Sequence, residues 1–169
     1  AWIPFWMDTR NPDGTYKKNT LQSDSTAKFP VKVSNGLWRY KNYDREIYEA
    51  IRKKPALKER KYEYSDLGFH IWPRIIEKQA SQDYEELIAK GFYRPLGAST
   101  LTYNPLKRFP PDRIVPTERD TFFRMELLHG YVHDEGAAML GGVSGNAGLF
   151  GTAGDLAKLW QMYLWKGSY

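Results

Sequence analysis

Tyr64-Ser65-Asp66-Leu67-Gly68-Phe69-His70-Ile71-Trp72 sets a phenol, a hydroxyl and a carboxylate directly before an apolar run of helical period. A side-chain oxygen of Ser65 or Asp66 in that position can accept from the unpaired N–H groups of a helix's first turn. Tyr64 then stands just outside the helix start, near the positive end of the dipole, where an anionic form is favoured. A capped helix preceded by a half-buried tyrosine is written with the same letters. The triplet alone therefore leaves a structural and a chemical role open for both Tyr64 and Asp66.

Outward from this stretch, the period predicts a helix over residues 67–79. Leu67, Ile71, Ile75 and Lys78 line one side, and Phe69, Trp72 and Ile76 widen the apolar face to that of a buried helix. Pro73 lacks an N–H and should kink or restart it. Upstream, Ile47, Tyr48 and Ile51 give a short helix that Pro55 ends. Downstream, Asp83 and Glu86 form a capping-box pair for a helix from Tyr84 to Phe92, closed by Pro95-Leu96-Gly97. Residues 104–121, rich in proline and charge, read as an extended surface connection, and residues 121–132 as either a short strand or an irregular crossing. Asp134 can cap a helix that Gly141-Gly142 stops. Thr152 and Asp155 are a second capping box, before a helix whose Leu156, Leu159, Trp160, Tyr163 and Leu164 form a core-facing side. Residues 1–42 show turn signals but no lasting helical period. The expectation is a mainly α chain, irregular over 1–42 and helical over 43–169.

A second segment changes the weight of the first: Gly130-Tyr-Val-His-Asp-Glu-Gly-Ala-Ala-Met-Leu-Gly-Gly-Val-Ser-Gly-Asn-Ala-Gly-Leu-Phe-Gly-Thr-Ala-Gly-Asp-Leu-Ala157. With Tyr64-Ser-Asp-Leu-Gly-Phe69 before it and Phe92-Tyr93-Arg94-Pro95-Leu96-Gly97 between, the chain resembles the serine β-lactamase and penicillin-binding-protein superfamily, in its class C-like branch of hydrolases and esterases. The likeness covers most of residues 43–166 in the same motif order. It implies a Ser-x-x-Lys nucleophile, a Tyr-x-Asn second motif and a later Lys-Thr-Gly or His-Thr-Gly strand, of which only the second has a counterpart here. It further implies that this is the helical insertion region of the α/β serine β-lactamase/transpeptidase-like fold, without most of its sheet. Both chain ends then read as cuts in a longer protein, and the fragment itself is expected to be inactive. An envelope or periplasmic location is implied by the resemblance only.

By the same likeness, Tyr64 would hydrogen-bond the nucleophilic serine and share in proton transfer. A free phenol has a pKa near 10, so a neighbouring ammonium is needed to favour phenolate. Asp66 replaces the usual asparagine. An ionised carboxylate only accepts hydrogen bonds and repels an anionic substrate, which leans away from β-lactams and toward ester or peptide-like substrates. Gly145 and Asn146 are candidate substrate-binding residues, with the glycines Gly141, Gly142, Gly145 and Gly148 letting the backbone turn along one wall of a cleft.

Other letter matches carry less. Ser25-Thr26-Ala27-Lys28 spells Ser-x-x-Lys, but Phe29-Pro30 follows at once and no helix holds the pair together. His129 and His133 would share a face only on a helix, which Gly130-Tyr131-Val132 does not form, so no metal site is expected. His70 reads as a hydrogen-bonded core histidine. The glycine run lacks the lysine–hydroxyl pair of a phosphate loop. No cofactor is expected.

The 169 residues include no cysteine, which excludes disulfides and thiolate chemistry. A net charge of +5 raises nucleic-acid binding, yet Glu46, Glu49, Glu59 and Glu63 interleave with the lysines and arginines, as on a solvated surface. No apolar stretch reaches membrane-spanning length. The expected partners are a small-molecule or peptide-like substrate and the missing parts of the parent chain. A second reading, a catalytically retired module binding cell-wall peptide or sugar, draws on six tryptophans and twelve tyrosines; their helical spacing favours a core role for most of them.

Overall fold

A computed structural model describes residues 3–55 and 61–168. In chain order its regular elements are β1 (Leu21–Gln22), β2 (Val31–Ser34), β3 (Leu37–Arg39), α1 (Tyr43–Lys53), α2 (Leu67–Ala80), α3 (Tyr84–Ile88), β4 (Pro116–Arg119), β5 (Leu127–His129), α4 (Glu135–Met139) and α5 (Ala153–Leu164). Five α-helices thus stand beside five strands among the described residues, and the expectation of a mainly α chain is corrected. The strands form two antiparallel sheets, one ordered β1-β3-β2 and one pairing β4 with β5. They escape a periodicity reading because each is two to four residues long and two of the three pairings carry a register shift. A two-residue alternation cannot declare itself over so short a span.

The β2–β3 hairpin turns at Asn35-Gly36, with Ser34 opposite Leu37. This dipeptide is a recognised hairpin signal. Leu21, Val33 and Leu37 from the sheet meet Ile47 and Ile51 of α1 and Ala137, Ala138 and Met139 of α4 in one core, closed by Phe5, Trp6 and Phe123. The Tyr43 hydroxyl donates to the Phe5 carbonyl at 2.9 Å, so the N-terminal segment is tied to the start of α1.

Two helices present their apolar sides differently from expectation. In α2 only His70 and Pro73 are buried, while Phe69 and Trp72 are exposed. In α5 the buried residues are Asp155 and Met162, with Trp160 at 60 % and Leu164 at 75 % exposure. In α2 Leu67 and Ile71 still pack, partly buried, against the core, while the rest of its broad apolar face is exposed; α5 is not core-facing within this chain. The 3.6-residue period marks a face suited to burial without saying what buries it. Pro73 also leaves α2 unbroken. The third helix runs as expected from Tyr84, with Asp83 accepting from Glu86 N–H at 3.2 Å, and passes into a π-helical turn over Ala89–Tyr93.

The proline-rich connection holds short 3-10 turns at Pro105–Lys107 and Pro111–Arg113 before β4. Residues 121–132 contain both a strand, β5, and an irregular crossing, whose buried turn spans residues 120–124. Asp120 accepts from the N–H groups of Phe122, Phe123 and Arg124 and from the Arg124 guanidinium at 2.7 Å. Arg124 in turn donates to the carbonyls of Val132 and His133. This fully buried pair shapes the approach to α4.

Candidate active site

The start of α2 carries Tyr64 and Asp66. The first helical N–H, that of Leu67, is taken by the Ser65 hydroxyl at 3.2 Å. Asp66 makes no side-chain cap bond; its Oδ1 accepts from the Tyr64 hydroxyl at 2.7 Å. The capping duty and the carboxylate are therefore divided between neighbouring residues. Tyr64 is 65 % exposed, so its hydroxyl is not sealed inside the fold. The bond to Asp66, reinforced by that carboxylate's charge, raises the phenol above its ordinary pKa. Within these surroundings the neutral phenol is favoured, the reverse of what a base requires.

One turn along the helix, the glycine-rich segment docks. Gly145 N–H donates to the Phe69 carbonyl at 3.1 Å. His70 Nδ1 lies 3.0 Å from Ser144 Oγ, and Ser144 Oγ donates to Asn146 Oδ1 at 2.6 Å. A carbonyl oxygen can only accept, so the Ser144 proton goes to Asn146 and the His70 proton to Ser144. The imidazole thus carries a hydrogen on Nδ1, and burial lowers its pKa, favouring the neutral ring against the opposing pull of Asp134 and Asp66. The Tyr103 hydroxyl grips the same segment from another side, donating to the Ser144 carbonyl at 3.1 Å.

The structure therefore attaches all four sequence-derived residues to the first turns of one helix: Tyr64 and Asp66 directly before it, Gly145 and Asn146 docked beside it. His70 is the buried, hydrogen-bonded histidine expected. Ser144, which aligns the Asn146 amide, does not stand out in the sequence; its signal is a lone hydroxyl inside a glycine run, directly before the Gly-Asn pair. Asp134 caps α4 by accepting from Ala137 N–H at 2.6 Å, and α4 ends at Gly141-Gly142, both with φ near +85° as helix stops of this kind require. Beyond Asp134 and Ala147 opens a cavity of about 680 Å³, walled on its apolar side by Phe109, Ile114, Leu149 and Phe150.

The remaining candidates fall apart in space. Ser25 and Lys28 belong to a tight exposed turn closed by the Thr26–Phe29 bridge, not to a helix. His129 Nε2 meets the Ile114 carbonyl at 2.6 Å, whereas His133 faces Glu118 at 3.6 Å. Among the described residues no group of three or more potential ligands could hold a metal ion. Nor is any helix among them long and apolar enough to cross a membrane.

Comparison with known proteins identifies the family. The Beta-lactamase family model matches residues 24–168. A protein of Escherichia coli strain K12 named "Putative D-alanyl-D-alanine carboxypeptidase" is 34 % identical over 99 % of this chain and 44 % of its own length. A Bacillus subtilis protein named "N-acetylmuramyl-L-alanine amidase" is 38 % identical over 64 % of this chain and 27 % of its own length. The chain spans less than half the length of these curated relatives. No solved structure matches. The chain belongs to the β-lactamase family, within the β-lactamase and penicillin-binding-protein-like serine hydrolases.

Proposed function

We propose that this chain supplies the phenol–carboxylate side of a serine hydrolase site acting on ester or peptide-like substrates of the cell wall, through an acyl-serine intermediate. The observation that carries the reading is the exposed Tyr64 hydroxyl held 2.7 Å from Asp66, with the Gly145–Asn146 wall attached to the same helix. The serine and the lysine would come from the remaining length of a longer protein. The lysine ammonium must offset the Asp66 carboxylate before Tyr64 can take a proton from the serine. Asn146, aligned by Ser144, offers its amide to the substrate. The relatives' names, D-alanyl-D-alanine carboxypeptidase and N-acetylmuramyl-L-alanine amidase, support a cell-wall peptide as substrate and an envelope location. In the full-length protein, Tyr64→Phe should slow acylation by an activated ester about a hundredfold, the scale of a lost proton-transfer group. An unchanged acylation rate removes Tyr64 from the mechanism. The 169-residue chain alone should show no turnover.

A second reading has one observation in its favour. Trp72, Trp160 and Tyr163 are exposed, not buried as their spacing predicts, so rings are available to stack on sugar faces in a catalytically silent module. Binding of a muropeptide by a protein that no reactive ester acylates would favour it.

A further inference from the structure

Pro73 sits buried in the middle of α2, and the helix passes through it intact. A proline has no N–H, so the carbonyl four residues earlier, that of Phe69, receives no helical bond from position 73. That oxygen accepts from Gly145 N–H at 3.1 Å. A Cβ at position 145 would lie 2.6 Å from the same oxygen. The close approach of the two backbones therefore needs a helix position without a donor and a wall position without a side chain. The adjoining residues reinforce the junction, His70 meeting Ser144 at 3.0 Å.

We infer that Pro73 is a positioning residue: by withholding an N–H it leaves the Phe69 carbonyl to Gly145, and so latches the Ser144–Asn146 wall to the helix that begins at Tyr64 and Asp66. An N–H at position 73 would claim the Phe69 oxygen for the helix ladder and release the wall. The latch stands on geometry alone; its effect on turnover rests on the proposed hydrolase function.

The test is Pro73→Ala in the full-length protein, followed by amide hydrogen exchange at Gly145 and acylation kinetics. Alanine favours the helix, so thermal stability should hold or rise. Protection of the Gly145 amide should fall about fivefold, as expected for one net hydrogen bond, and acylation should slow by a similar factor. Gly145→Ala, which forces the wall away from Phe69 while leaving the helix unchanged, should give the same kinetic defect. Wild-type exchange at Gly145 in Pro73→Ala overturns the latch. Lost protection with unchanged acylation overturns the positioning role. Tyr64→Phe measured alongside separates these results from failure of the hydrolase reading, since a full rate in that variant leaves the exchange result standing.

Discussion

The Tyr64 hydroxyl donates to Asp66 Oδ1 at 2.7 Å across two residues at the start of α2, so the phenol proton is held by an acceptor inside its own motif. Asp66→Asn keeps the shape of that acceptor and removes its charge. The Tyr64 titration midpoint, followed by tyrosinate absorbance, should then fall toward the ordinary phenol value, because the two largest causes of its elevation, the Asp66 hydrogen bond and charge, weaken. An amide also donates, and it no longer repels a carboxylate-bearing substrate. In the full-length protein the variant should gain acylation by an anionic β-lactam relative to a neutral ester. A ratio that stays put would mean that the Asp66 charge does not select the substrate.

The buried Asp120–Arg124 pair governs stability. Both side chains are fully buried and 2.7 Å apart. Removing one partner leaves a buried charge uncompensated, which costs roughly 3–5 kcal/mol; Arg124→Met should show a loss of that order in urea unfolding. Burial alone would raise the Asp120 carboxyl, but the Arg124 guanidinium and three backbone N–H groups outweigh it and bring its pKa to about 2. The folded value lies below the unfolded one, so this contribution is complete above about pH 4 and is lost as pH falls from there toward 2. Asp120→Asn should flatten that part of the stability–pH curve.

The exposed sides of α2 and α5 predict behaviour of the isolated chain. Phe69, Trp72, Trp160 and Leu164 present large apolar groups to solvent, and clustered surface of this kind promotes association. The 169-residue chain should show concentration-dependent association by sedimentation, and Trp160→Lys with Leu164→Lys should reduce it while far-UV circular dichroism stays helical. Association unaffected by these changes would place the sticky surface elsewhere.

These elements also show what the sequence could and could not say. Caps were legible because they are local: Asp83, Asp134 and Thr152 each accept from the N–H three residues on. Helix spans followed from period and proline placement. The strands were not legible, because their pairing depends on partners as distant as Leu21 and Arg39, and the Asn35-Gly36 hairpin signal went unread within a stretch expected to be irregular. Pro73 was readable as a missing donor but not as a gain for Gly145, since the compensating N–H arrives from a segment far along the chain. The motif residues Tyr64, Asp66, Gly145 and Asn146 stood out by resemblance. Ser144 and the Asp120–Arg124 pair act through folded geometry that no local pattern encodes.

His70 supplies the last test. Its ring is buried, stacks edge-on against Phe5 at 5.7 Å and donates a hydrogen bond from Nδ1 to Ser144 Oγ. Burial lowers its folded pKa below the unfolded value near 6.5. The folded state therefore binds fewer protons than the unfolded chain, and stability should decline as pH falls below about 6.5. Asparagine at position 70 keeps a donor close to the place of Nδ1 without a titratable ring. His70→Asn should retain the Ser144–Asn146 alignment, read as an unchanged Gly145 amide exchange rate, and lose the part of the pH dependence that begins near 6.5. A variant that keeps the full slope would mean that a group other than His70 titrates there.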